Sequence, residues 1–217
     1  MPDGAVGTYA RARMHDLVLE TIALHGAELE IMRPRDSEAL LDEHAFEVNE
    51  FLPYWAELWP SGVALARALD GRSLRGVPVV ELGCGLGLPS IVAARAGGRV
   101  LATDWSQAAL DLLEVNAQRN GVELRTLAVD WARPRELVAR GPFALVLAAD
   151  VLYERRNASL LLDLLPRLVA PEGEIWLADP GRAMAEPFFE LADAEGWRRR
   201  STPDPDRPGV VVHRLRP

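Results

Sequence analysis

A chain of 217 residues, 49% hydrophobic and 26% charged, carries enough apolar material for one sizeable core without requiring a second. A formal charge of -8 argues against tight sequence-independent binding to nucleic acid, which needs clustered Lys and Arg, and is compatible with a basic protein partner. The single cysteine, Cys84, excludes an internal disulfide framework, and with no charged-then-apolar leader and no run able to span a bilayer, the expected compartment is the cytoplasm.

In chain order, residues 1–50 read as an appendage and residues 51–217 as the main domain. Asp16 to Ile22 and Ala27 to Met32 are apolar stretches around His25-Gly26 and predict a β-hairpin, after which Asp36 or Ser37 is placed to cap a short helix through Phe46. Pro60 and Ser61 start a helix running to about Leu69, with Gly71 beyond it. From Val77 strand and helix patterns alternate, which implies parallel strands joined by right-handed crossovers. The strands fall near 77–83, 99–104, 123–129, 143–149 and 173–179, and the helices near 88–96, 106–120, 134–140 and 157–169. Within the second of these helices Ser106 is the cap, Leu110, Leu113 and Ala117 form the buried stripe, and Asn120-Gly121 gives a left-handed stop. A helix near 183–195 follows, and then Trp197 to Ser201 and Val210 to Leu215 flank a loop rich in Pro and Asp. The fold class is a doubly wound α/β sheet.

The chemistry concentrates at Val79-Val80-Glu81-Leu82-Gly83-Cys84-Gly85-Leu86-Gly87, an apolar strand running into three alternate glycines and a helix. Glycines serve there where φ is positive or a ligand approaches the backbone. The spacing G-x-G-x-G differs from the G-x-G-x-x-G of a dinucleotide loop, and Glu81 would repel a pyrophosphate while suiting a cofactor with a cationic amino-acid end. Asp104 ends the next apolar run, where a carboxylate can accept hydrogen bonds from both hydroxyls of a ribose.

These residues resemble the class I, seven-strand S-adenosylmethionine-dependent methyltransferases, whose first motif is acidic-x-G-x-G-x-G and whose second strand ends in an acidic residue. The resemblance continues through Val129-Asp130-Trp131 and Ala148-Ala149-Asp150-Val151-Leu152-Tyr153, and covers about Trp55 to the C-terminus. Leu52 to Gly62 and the Asp150-x-x-Tyr153 motif look most like the branch holding nicotinamide N-methyltransferase-like proteins and protein lysine or N-terminal methyltransferases. The resemblance implies a Rossmann-like seven-stranded sheet, mostly parallel with an antiparallel last strand, and S-adenosylmethionine as cofactor. Ligands of such sheets bind beyond the carboxyl ends of the strands, where strand order reverses. The methionine end is then assigned to Glu81, Gly83, Gly85 and Gly87 with Trp59 closing over it and Ala149 alongside, the ribose to Asp104, and the adenine to a slot between Trp105 and the Asp130-Trp131 pair. Asp150 and Tyr153 are the catalytic candidates, the carboxylate to hold an amine or ammonium and the phenol to hydrogen-bond or offer its ring face. Tyr54, Trp55, Glu57 and Asp179-Pro180-Gly181-Arg182 are expected to line the acceptor entrance.

Blander readings compete. Asp104 could merely cap the next helix, the tryptophans could be core or rim aromatics, and Tyr153 could simply pack with its hydroxyl in water. Glu81 is harder to dismiss, because a carboxylate between Val80 and Leu82 needs a ligand or a ring of backbone amides. Cys84 reads as a small filler between glycines, and the four scattered histidines offer no metal-ligand spacing, so no metal is expected. The leading function is N-methylation of a protein lysine or N-terminal amine. Methylation of a small nicotinamide-like amine is the nearest alternative, followed by a non-catalytic binding module; a dinucleotide-dependent oxidoreductase is disfavoured by the glycine spacing.

Overall fold

The computed structural model describes residues 16–40 and 53–217. The predicted hairpin forms from β1 (Leu17–Ala23) and β2 (Glu28–Pro34), antiparallel, with Leu19 opposite Met32. After it, Asp36 Oδ1 accepts from Glu38 N and opens a single 3-10 turn over Glu38–Leu40. The rest of the helix expected there, through Phe46, lies outside the described residues.

The main sheet has seven strands in the order β5-β4-β3-β6-β7-β9-β8. They are β3 (Pro78–Leu82), β4 (Arg99–Asp104), β5 (Arg125–Ala128), β6 (Phe143–Ala149), β7 (Val169–Asp179), β8 (Arg198–Pro203) and β9 (Val211–Arg216). The first five are parallel, and β9 runs antiparallel to both β7 and β8. The helices are α1 (Pro60–Leu69), α2 (Leu88–Arg95), α3 (Gln107–Arg119), α4 (Arg135–Val138), α5 (Arg155–Leu168) and α6 (Ala185–Ala194). The chain steps outward from β3 through β4 to β5, then returns to lay β6 on the other side of β3, so the reversal falls between β3 and β6. That reversal opens a crevice above the carboxyl ends of β3, β4 and β6, where the next segments splay to opposite faces.

Local signals explain the elements. Ser106 caps α3 by accepting from Ala109 N, and Asn120 ends it before Gly121 at φ 66. One boundary departs clearly from expectation: β7 begins at Val169, directly after α5, rather than near 173. Pro171-Glu172-Gly173 reads as a turn, but it is absorbed as an irregularity in the ladder, with Val169 opposite Phe143 and Glu174 opposite Leu145. Strand alternation divides the core between the two faces. Val79 packs with α1, α2 and α3, whereas Val80 and Leu82 pack with α5 and α6. Ile22, Leu29 and Ile31 of the hairpin belong to the first of these clusters. Among the described residues no helix is long and apolar enough to cross a membrane.

Candidate active site

A cleft of about 1120 Å³ lies above the strand reversal and reaches from the glycine loop to Tyr54 and Tyr153. Its floor is the loop after β3. Gly83, Gly85 and Gly87 all have positive φ, at 65, 50 and 82. The three glycines answer to different neighbours. A Cβ on Gly83 would meet Val151 Cγ1 at 3.3 Å and the Trp131 ring at 3.6 Å, and one on Gly85 would lie 3.1 Å from Trp55 O. On Gly87 it would overlap Leu113 Cδ1 at 1.9 Å, so this position is glycine because α3 packs against it.

Two buried carboxyls hold the loop. Glu81 is 1% exposed, and its Oε2 accepts from both Ser90 N and Ser90 Oγ in the first turn of α2. Burial pushes its pKa from 4.5 up to about 8, against the opposing pull of the Ser90 hydrogen bonds. Glu81 is expected as an anion from its place beside the glycine loop, but burial favours its protonated form unless a cation lies against it. Asp104, 4% exposed, accepts from Gly85 N at 3.0 Å through Oδ2 and from Ser106 N at 2.9 Å through Oδ1. It does not cap α3, a role Ser106 fills. Burial raises its pKa, with the bonds from Ser106 and Gly85 acting against that rise. The Trp105 backbone N–H also bonds to this carboxylate, so three amides take three of its roughly four lone-pair sites and one is left for a ligand hydroxyl. Burial also pushes the Cys84 thiol up, in keeping with a filler.

The walls carry the remaining aromatics. Trp105 is 45% exposed beside Asp104, while Trp131 is half-buried over Gly83. Asp130 is exposed, and its Oδ1 accepts from Ala132 N, which shapes the turn after β5. Half-buried Ala149 lines the cleft at the end of β6.

At the other end of the cleft, Asp150 has φ 58, a left-handed conformation that is uncommon outside glycine and marks a position held under constraint. Its Oδ1 accepts from Arg182 Nε at 2.7 Å, and its buried Oδ2 has no hydrogen-bond partner among the described residues. Arg182 is delivered by a turn built on buried Asp179, whose Oδ1 accepts from Gly181 N and Arg182 N, both at 2.7 Å. The Asp150 hydrogen bond raises the already high pKa of Arg182, so the guanidinium stays charged. Its Cζ sits 5.5 Å from the centre of the Trp59 ring. Trp59 donates from Nε1 to Tyr54 O at 2.7 Å, and the Tyr54 ring meets Tyr153 edge-on at 5.5 Å. Tyr153 and Tyr54 are 39% and 40% exposed, so these rings form an open aromatic rim on the cleft that Asp150 also lines. Burial of its inner side raises the Tyr153 pKa, keeping the phenol protonated.

Trp59, Glu81, Asp104, Asp130, Asp150 and Tyr153 all line one cleft, whereas of the Asp179-Pro180-Gly181-Arg182 segment expected at its entrance only Arg182 lines it. Sequence reasoning missed two partners. Ser90 falls inside the helix predicted near 88–96 with no partner assigned, and Arg182 is expected only at the acceptor entrance. The signal for Ser90 was a hydroxyl in the first turn after the loop; nothing local pointed to the Arg182 pairing.

A family model described as lysine methyltransferase matches residues 54–194. The chain belongs to the lysine methyltransferase family. Among curated relatives, the electron transfer flavoprotein beta subunit lysine methyltransferase of Xenopus laevis is 36% identical over 135 residues, which cover 60% of this chain and 54% of that protein. The EEF1A lysine methyltransferase 3 of Mus musculus is 36% identical over 141 residues, 62% of this chain and 60% of its own. The matched stretch thus spans little more than half the length of these relatives. Among solved structures, a T. thermophilus 16S rRNA N2 G1207 methyltransferase in complex with AdoMet and guanosine superposes with a TM-score of 0.66 at 17% identity, covering 92% of this chain and 50% of that one, a likeness of fold.

Proposed function

We propose that this chain methylates a protein lysine with S-adenosylmethionine as donor. The observation that carries the reading is Asp150: a constrained backbone holds a buried carboxylate with one oxygen engaged by Arg182 and the other unpartnered among the described residues, in the cleft that also holds the aromatic rim and the glycine loop. Family membership and relatives named as protein lysine methyltransferases support the choice of acceptor.

The residues present fit the donor. The loop brings Gly83 and Gly85 to the cleft floor with no side chain between ligand and backbone, and Asp104 keeps one lone pair for a ribose hydroxyl. On this reading Glu81 and the loop, with Trp59, hold the methionine end, Asp104 holds the ribose, and Trp105, Asp130 and Trp131 hold the adenine, with Ala149 against the cofactor at the end of β6. When bound, S-adenosylmethionine supplies a sulfonium-activated methyl carbon open to in-line displacement, so alignment of the acceptor nitrogen is the protein's main task. Asp150 Oδ2 accepts a hydrogen bond from that nitrogen. Arg182 holds the carboxylate through Oδ1. The rings of Tyr54, Trp59 and Tyr153 favour a cation at the mouth, the state in which a lysine arrives, and the ammonium releases one proton to solvent before its nitrogen lone pair takes the methyl as the carbon–sulfur bond breaks. A basic segment of a protein substrate suits the chain's acidic balance, and we place the reaction in the cytoplasm on the single-cysteine composition.

The test is incubation of the purified protein with methyl-labelled S-adenosylmethionine and a cell extract, untreated or protease-treated. Label in a protease-sensitive band that maps to lysine supports the reading. Label confined to small molecules refutes it in favour of a nicotinamide-like acceptor, and cofactor binding without label in any extract favours a binding module.

A further inference from the structure

The hairpin β1–β2 lies outside the cleft, and none of its residues lines it. Yet it is tied into the fold in an unusual way. A two-stranded ribbon leaves the outer row of backbone N–H and C=O groups on β2 without a ladder partner. Asn116 of α3 and Asn120, which caps its C-terminus, fill that row. Asn116 accepts from Met32 N through Oδ1 at 2.7 Å and donates from Nδ2 to Met32 O at 3.1 Å. Asn120 does the same with Glu30, accepting from its N at 3.1 Å and donating to its O at 2.7 Å. Each carboxamide thus acts as a backbone peptide of a missing third strand. The spacing permits it, because four residues of helix rise about 6.0 Å and two residues of strand about 6.7 Å.

The two asparagines differ in one hydrogen. Asn120 spends its second N–H on Asn116 O at 2.8 Å, in the last turn of α3. Asn116 directs its second N–H at Leu86 O, 3.3 Å away, between Gly85 and Gly87 of the loop. Asn116 is fully buried, where an amide is costly unless its groups are bonded, and its bonds join the hairpin to the cofactor loop. Three residues past β2, Ser37 Oγ donates to Glu57 Oε1, and Glu57 lines the cleft.

We infer that the hairpin is a positioning part of the methyl-transfer site, holding the glycine loop through Asn116 and the acceptor mouth through Ser37 and Glu57. This rests on the cofactor reading above. Asn116 touches neither substrate nor cofactor; it acts through Leu86. Because coupling is reciprocal, a ligand that orders the loop also steadies β2.

The test compares S-adenosylmethionine affinity, by calorimetry, in the wild-type chain, Asn116→Ala and Asn120→Ala. Asn120→Ala frees only the stretch of β2 at Glu30, remote from the loop, whereas Asn116→Ala removes the tie at Met32 together with the link to Leu86. Its Kd rises about tenfold, as loss of one to two net hydrogen bonds implies, while Asn120→Ala stays within about twofold. Ser37→Ala leaves this Kd unchanged and raises KM for the protein acceptor. Should Asn116→Ala fail to fold, hydrogen exchange on the wild type decides: added S-adenosylmethionine slows exchange across Glu28–Pro34, which it does not touch. Equal Kd values for the two asparagine variants, or exchange in β2 indifferent to ligand, overturns the inference. No binding by the wild-type chain overturns the cofactor reading itself, and this inference with it.

Discussion

Replacing Glu81 with glutamine isolates the cost of a protonated carboxyl in the core. In the folded, unliganded protein the group titrates at about 8, against 4.5 for an ordinary glutamate. Between those values the folded state holds a proton that the unfolded chain has released, so stability from this site is greatest below pH 4.5 and falls as pH rises toward 8. The slope is about 1.4 kcal/mol per pH unit, which amounts to about 3 kcal/mol by pH 7 and levels off near 5 kcal/mol above pH 8. Glutamine carries no such dependence, and its carbonyl oxygen still accepts from Ser90. Urea unfolding of both proteins without ligand, from pH 5 to 9, should show Glu81→Gln gaining on the wild type steadily up to pH 8 and by a constant amount beyond. The cofactor should reverse the ranking. If its cationic end draws the proton off Glu81, wild-type binding releases protons, visible as a dependence of the calorimetric enthalpy on buffer ionisation, and Glu81→Gln releases none and binds more weakly. A stability difference that stays flat from pH 5 to 8 would falsify the assignment of a raised pKa to this buried carboxyl.

Three further outcomes are expected. Asp150→Asn should leave S-adenosylmethionine affinity near wild type and lower single-turnover methyl transfer by roughly a hundredfold, the scale of a lost positioning or proton-accepting group; unchanged turnover removes Asp150 from the mechanism. Gly87→Ala should destabilise by about 2 kcal/mol, since the added carbon overlaps Leu113 at 1.9 Å on a backbone at φ 82. Combining it with Leu113→Ala should cost less than the sum of the two single changes, measured by urea unfolding, and strict additivity would contradict the overlap. His213, 9% exposed, 4.1 Å from the Phe189 ring and bonded to Ser201, is pushed by burial from 6.5 down to about 4. The native state therefore resists protonation that the unfolded chain accepts: its contribution is complete above pH 6.5 and decreases by about 3 kcal/mol as pH falls to 4. His213→Gln should flatten that acid limb, and an unchanged limb counts against the burial effect.

The sequence was most legible where a signal was local. Arg99–Asp104 and Phe143–Ala149 form strands with the bounds that their apolar runs imply, and Ser106 with Asn120-Gly121 bounds α3 as its capping chemistry dictates. The glycine loop and Asp104 were likewise readable, because positive φ and a strand-end carboxylate leave marks in neighbouring residues. The start of β7 was not, since Pro171-Glu172-Gly173 carries turn chemistry that pairing with β6 overrides.

Taken by itself, the sequence determined the alternation of elements and the glycine loop, because these follow from periodicity, capping and glycine geometry over a few residues; the strand reversal and the residues at the cleft's rim were what the family resemblance implied. Tertiary structure alone decided the partnerships. Asp150 meets Arg182 across 32 residues, and Asn116 and Asn120 meet the hairpin across 84 and 90. It also decided the charge of Glu81, which turns on how completely the folded core removes that carboxyl from water. Hydrogen bonds and desolvation depend on where side chains stand in space, and no window along the chain carries that information.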